Sequence, residues 1–246
     1  MRLGWGAGAI ADYPWHYDGV PWSVDDTLRT LKLMKNLQGN WIALIDTAYR
    51  YGKGMSERLI GFAKRVDIIS IEFPVITKIP LGTYDEMVGF FNESLSRLTF
   101  VPNGVLLHNP DLSDSKAIDD GYKFLLHIKK LHAVKYIGIS TEPCIEAAQY
   151  ISQYSLNCIE FPYSKQDRRA EESFFPYLPK NIFMIANRVL GGPARGTGKY
   201  ISMVEENIRF VIENGKQIHV ALIGTSNPTH LAEAVRIFNE SSFCHA

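Results

Sequence analysis

The sequence predicts an α/β fold, a (β/α)8 TIM barrel with short loops, on three observations. Short apolar runs alternate with longer amphipathic segments from end to end, the pattern of a parallel sheet with crossover helices. Most runs hold four to six residues rich in Ile, Val, Leu and Phe, the composition of strands buried on both faces. A chain of 246 residues has room for eight strand–helix units, the size of one such barrel.

The elements follow in order. A first strand lies around Arg2–Gly6. The later runs are WIALI (41–45), FPVIT (73–77), GVLL (104–107), YIGI (136–139), NCI (157–159), IFMIA (182–186) and HVALIG (219–224). Ser23 is a helix cap followed by Asp25 and Asp26, acids that favour a helix N-terminus, and Leu28, Leu31 and Leu37 carry the buried stripe. Further helical patterns occupy 56–65, 85–98, 115–131, 143–153, 170–178, 203–214 and 229–239. No Pro/Ser-rich linker or charge block divides the chain, so residues 1–246 are expected to form a single domain.

Composition narrows the function classes. Twenty-six basic side chains balance 26 acidic ones, which removes the long-range attraction a nucleic acid or an anionic membrane would need. No apolar run approaches the roughly 18 residues of a membrane span, and the first residues do not read as a signal peptide. Three cysteines without C-x-x-C spacing fit neither a disulfide scaffold nor a zinc ribbon. The expectation is a soluble, cytoplasmic protein.

Each apolar run after the first strand ends at a polar residue: Asp46, Lys78, His108, Ser140, Glu160, Asn187 and Thr225. In a barrel these positions face one mouth, the C-terminal end where barrel enzymes place their chemistry. Tyr51, five residues beyond Asp46 in the loop YRYGKG, is near enough to fold back over that mouth. A phenol is a weak acid, with an ordinary pKa of about 10, and a neighbouring Lys78 ammonium is expected to lower it. Asp46 would keep Lys78 charged, and His108 would hydrogen-bond a substrate oxygen or join the proton relay. The set suits delivery of a proton to a carbonyl oxygen becoming an alkoxide. Each residue also has a plain structural reading: Asp46–Lys78 as an ion pair between strands, Tyr-Gly as a turn, His108 as a loop start, and Glu57 as an acid at a helix N-terminus. Their joint occurrence at ordered strand ends favours the catalytic reading.

The segment IDTAYRYGKGMSERLIGFAK (45–64) resembles the signature of the aldo-keto reductase superfamily nearly position for position. ITK (76–78), NESLSRL (92–98), VLLHNPD (105–111), KYIGIS (135–140) and IGTSNPTHLAEAV (223–235) resemble its later landmarks in order. The resemblance implies that Asp46, Tyr51, Lys78 and His108 form a catalytic tetrad. Tyr51 would protonate the carbonyl as a nicotinamide cofactor, NADP(H) rather than NAD(H), gives its hydride. It also implies cofactor contacts from Gly6, Ala7, Ser140 and Glu160, and from Arg188, Gly191 and Arg195 in or before the tract GGPARGTGK (191–199). Thr225, Ser226, Asn227 and His230 would lie at the phosphates. On physical grounds Asn227-Pro228 reads as a helix cap and first helical position, and such a helix end binds phosphate.

Four departures from the family pattern stand out. Glu160 stands where many relatives have Gln or Asn, and the aromatic residue that stacks on nicotinamide near Asn187 is missing. The usual Arg or Lys for the adenosine 2′-phosphate is not plain after strand eight, where His230 and Arg236 are weaker substitutes, so the preference for NADP(H) rests on family habit. Little follows the final helix, so the C-terminal extension is expected to be reduced and the pocket open. The loop DYPWHYDGVPW (12–22) offers Trp15, His16 and Trp22 either as substrate contacts that stack on ring or sugar faces or, equally, as packing of the loop onto the barrel rim. The leading expectation is an NADP(H)-dependent oxidoreductase acting on a small-molecule carbonyl or alcohol. The alternative is a catalytically slow, cofactor-binding regulatory or accessory protein. Metal-dependent hydrolysis is disfavoured, because no pair of histidines has His-x-His or His-Glu-x-x-His spacing.

Overall fold

The computed structural model describes residues 1–10, 23–37, 42–191 and 200–243. Eight parallel strands close into a barrel in sequence order, with the last paired to the first. They are β1 (Arg2–Gly6), β2 (Ile42–Asp46), β3 (Val75–Pro80), β4 (Gly104–His108), β5 (Tyr136–Ser140), β6 (Cys158–Pro162), β7 (Phe183–Asn187) and β8 (Val220–Gly224). The helices are α1 (Val24–Leu37), α2 (Met55–Arg65), α3 (Tyr84–Leu98), α4 (Ser115–His132), α5 (Ile145–Gln153), α6 (Ala170–Ser173), α7 (Tyr200–Asn214) and α8 (Pro228–Phe243). The Ser23 hydroxyl accepts the Asp26 amide at 3.0 Å and caps α1 as expected.

Side chains alternate across each strand, so one set faces the helices and the other fills the barrel. Trp5, Ile45, Ile79, Leu107, Ile139, Phe161, Ala186 and Ile223 belong to the larger, outer core under the helices. Leu44, Ile76, Leu106, Cys158, Ile185, Val220 and Leu222 form a separate cluster that plugs the barrel. Two residues beyond five of these plug residues stand Asp46, Lys78, His108, Glu160 and Asn187. The two-residue period therefore sets the polar side chains one layer above the apolar plug, at the C-terminal mouth. A cavity of about 540 Å³ opens at the opposite end, beside Arg2, Lys135, Tyr136, Phe183 and His219, and holds none of the candidate residues.

Several boundaries differ from expectation, among them the ends of two strands and one helix. Strands β3 and β6 continue past Lys78 and Glu160 to Pro80 and Pro162, because Ile79 and Phe161 still alternate outward into the helix layer. Helix α6 stops at Ser173 rather than continuing to 178. Pro176 has no amide to donate and disfavours helical geometry at Phe175, so the segment breaks into turns.

Candidate active site

The backbone after β2 is tied to β3 by Thr47 N–H to the Ile76 carbonyl and Tyr49 N–H to the Lys78 carbonyl, both at 2.9 Å. The chain then turns sharply through Gly52 (φ 55°), Lys53 (φ 53°) and Gly54 (φ 86°), all left-handed. At Gly54 a Cβ would also lie 2.7 Å from the Arg97 guanidinium, so the position suits glycine on both counts. The turn leaves the Tyr51 ring over the mouth, packed on Gly8 of the turn following β1.

Lys78 is fully buried, and its ammonium is the hub of the site. Nζ donates to Asp46 Oδ1 and Oδ2 at 2.5 and 2.6 Å, to the Thr47 carbonyl at 3.0 Å and to the Tyr51 hydroxyl at 3.4 Å. Glu160 Oε2 is a second carboxylate oxygen 3.4 Å from the same nitrogen. The His108 imidazole meets the Tyr51 ring edge-on, with centroids 5.7 Å apart. Asp46, Tyr51, Lys78 and His108 thus converge as the strand-end reading expected.

The electrostatics differ from expectation at Tyr51. Burial pushes its pKa up to about 12; Lys78 pulls it down, but Asp46 and Glu160 oppose that pull. The ammonium is present, as anticipated, yet it is shared by two carboxylates and cannot act on the phenol alone. Burial would lower the Lys78 pKa, but the Asp46 and Glu160 charges raise it above its usual range, so the ammonium persists. Asp46 is driven well above the carboxylate range, first by burial and then by Glu160. His108 is lowered to about 4 by burial and by Lys78, so its ring is neutral at pH 7.

The other candidates fall into groups. Ser140 and Glu160 are both buried, and the Ser140 hydroxyl donates to Glu160 Oε1 at 3.3 Å. Asn187 Nδ2 donates to the same oxygen at 2.8 Å. Glu160 Oε2 and Asn187 Oδ1 accept no hydrogen bond among the described residues. Gly6 pairs with Gly224 and Asp46 in the barrel wall, and Ala7 is buried just above it. Asn227 caps α8, its Oδ1 accepting the Thr229 and His230 amides at 2.9 and 3.5 Å, while Thr225 Oγ1 accepts the Asn227 amide at 3.1 Å. Thr225 and Ser226 are buried beside this helix end.

Arg188 is turned to an exposed ion pair with Glu142 at 2.9 Å, away from the tetrad. Gly191 adopts φ 81°, against the Gln166 side chain. Arg236 is held by Glu233 and Glu240 along α8. Arg195, Trp15, His16 and Trp22 lie outside the described residues. Sequence reasoning missed the Thr47 carbonyl as a lysine acceptor, which only the barrel geometry reveals. Glu57 does more than complement a helix end: buried, it accepts from Thr77 Oγ1 at 2.7 Å and pairs with Arg97 at 3.3 Å.

Residues 14–205 match the model of the aldo/keto reductase family. The chain belongs to that family. The aldo-keto reductase YhdN of Bacillus subtilis (strain 168) is 27% identical over 210 residues, 78% of this chain and 60% of that protein. The chain therefore spans about 60% of the length of the curated relative it matches. Among solved structures, an aldo-keto reductase from Klebsiella pneumoniae in complex with NADPH superimposes with a TM-score of 0.73. It shares 15% identity over 97% of this chain and 85% of its own. The glycerol dehydrogenase AKR11B4 from Gluconobacter oxydans gives 0.73 at 21% identity, over 99% and 90% of the two chains. In this family member Asp46, Tyr51, Lys78 and His108 stand together at the barrel mouth with Glu160 beside them.

Proposed function

We propose that the protein is an oxidoreductase that interconverts a small-molecule carbonyl and its alcohol, using NADP(H) in preference to NAD(H). The observation that carries this reading is the Lys78 ammonium, bonded to the Asp46 carboxylate and within 3.4 Å of the Tyr51 hydroxyl at the barrel mouth. A buried lysine needs a counter-ion to stay charged, and Asp46 supplies one. Its position then favours the phenolate that Tyr51 becomes on giving its proton to a carbonyl oxygen. His108, neutral and edge-on to Tyr51, is available to hydrogen-bond the same oxygen.

The residues present fit a nicotinamide dinucleotide. Glu160 Oε2 and Asn187 Oδ1 are orphaned acceptors, suited to a carboxamide N–H2, with Ser140 beside them. The amide-bearing start of α8 at Asn227–His230, with Thr225 and Ser226, suits a phosphate. When bound, the cofactor would supply hydride transfer; this chain's part is to orient it, hold the carbonyl and move the proton at the Tyr51 oxygen. The NADPH complex of the Klebsiella relative supports the choice of cofactor.

The direct test is NADPH oxidation by the purified protein against aldehydes, ketones and sugars, with NADH in parallel. Turnover with at least one carbonyl class, insensitive to chelators, is expected; a requirement for zinc or magnesium would overturn the reading. A second reading, an accessory protein that binds NADP(H) and turns over slowly, is favoured by the raised pKa of Tyr51, which makes it a weaker acid than a phenol in water. Saturable NADPH binding without turnover on any substrate would select it.

A further inference from the structure

Around Lys78 two buried carboxylates face one ammonium. Asp46 holds the ammonium with both oxygens, at 2.5 and 2.6 Å, and together they are neutral. Glu160 is 1% exposed, and Oε1 takes bonds only from the neutral groups of Asn187 and Ser140. Oε2 accepts no hydrogen bond among the described residues and stands 3.4 Å from the Lys78 nitrogen. Among the described residues no cation other than Lys78 makes an ion pair with Glu160. His108 is neutral, and Arg188 is engaged by Glu142 on the outside. At the mouth of this barrel two carboxylates thus share one lysine, and Glu160 is the more loosely held of the two.

Resting on the reading of the site as a nicotinamide site, we propose that Glu160 sets the redox-state preference of the protein, binding the oxidised, positively charged nicotinamide more tightly than the reduced, neutral one. The two forms carry the same phosphates and adenosine, so every other contact cancels when their affinities are compared. The preference thus holds for NADP and NAD alike, whichever the adenosine end selects. A unit charge beside a carboxylate in a partly screened interior changes affinity by roughly ten- to a hundredfold. The consequence for chemistry is a bound cofactor that is a stronger hydride donor, because the site stabilises the charge its ring acquires as hydride leaves for the carbonyl carbon.

The test is titration of the protein with NADP+ and NADPH, and with NAD+ and NADH, followed by intrinsic fluorescence and calorimetry. Wild type is expected to bind each oxidised form at least tenfold more tightly than its reduced partner. Glu160→Gln, which removes the charge and keeps the shape, is expected to lower that ratio by tenfold or more. Glu160→Asp, which keeps the charge, is expected to retain it. Equal wild-type affinities, or a ratio unchanged in a folded Glu160→Gln, would overturn the proposal and leave the nicotinamide site standing. Should Glu160→Gln fail to fold, the wild-type ratio decides alone. Failure of all four nucleotides to bind would instead remove the site reading beneath it.

Discussion

At the residue scale the site is a contest over one ammonium. Tyr51 has Lys78 within hydrogen-bond reach, yet burial and two carboxylates leave its pKa at about 12. A phenol so poised keeps its proton at every working pH and loses it only to a strong base such as a nascent alkoxide. Tyr51→Phe is therefore expected to cut carbonyl reduction by roughly 10²- to 10⁴-fold while NADPH binding, read by fluorescence titration, stays within about threefold. Reduction needs the protonated phenol, so kcat/KM should show no loss from Tyr51 ionisation until about pH 10 or above; a fall centred near pH 7 would show that another group is the acid. His108 sets the acid side. Its folded pKa of about 4 lies below the 6.5 of a free histidine, so between those values the unfolded chain binds more protons. Stability should fall as pH drops from 6.5 toward 4, and His108→Asn should flatten that part of a melting-temperature profile. The positions of Asp46, Lys78 and His108 at one mouth were legible in the sequence because a polar residue closing an apolar run needs only a two-residue period to be placed, whereas Tyr51 lies in the loop beyond β2. The sign of the Tyr51 shift was not, since it depends on Glu160, more than a hundred residues away in sequence, and on burial against Gly8.

At the element scale, the Tyr51 loop is only as fixed as the helix it leads into. Helix α2 docks through Gly61, where an added Cβ would lie 2.4 Å from the Arg97 carbonyl and 2.6 Å from that of Leu98, both backbone atoms at the end of α3. Buried Glu57 in the first turn of α2 binds Thr77 of β3 and Arg97 of α3, tying three elements together. Gly61→Ala must push α2 outward, at a cost of about 1–3 kcal/mol. A lower melting temperature is expected, with a larger loss in kcat than in KM, because the loop carrying Tyr51 moves with the helix. Unchanged stability would mean that α3 gives way instead. The elements themselves were largely legible from apolar runs and caps. The end of α6 was written at Pro176 but obscured by the apolar pattern around it, whereas the reach of β3 and β6 to Pro80 and Pro162 depends on pairing with neighbouring strands.

At the scale of the whole molecule, the barrel closes only when its first and last strands meet. All five residues of β1 pair in register with β8, and Trp5 of β1, fully buried, donates its indole N–H to the Thr225 carbonyl at 2.5 Å, a contact 220 residues long in sequence. That bond fastens the seam immediately before Ser226 and Asn227, the proposed phosphate end of the cofactor site. Trp5→Phe keeps an aromatic ring in the outer core but leaves the Thr225 carbonyl without its partner, at about 1–3 kcal/mol. For a chain of this size each kcal/mol is worth roughly 2–4 °C, so the melting temperature should fall by several degrees. Because the seam joins strands from opposite ends of the chain, the loss should appear as one earlier transition, coincident by circular dichroism and fluorescence. If the seam also positions the phosphate end, saturating NADPH should raise the melting temperature of the variant by less than it raises that of wild type, since the increment follows affinity. An equal increment would separate the closing of the barrel from the binding of the nucleotide.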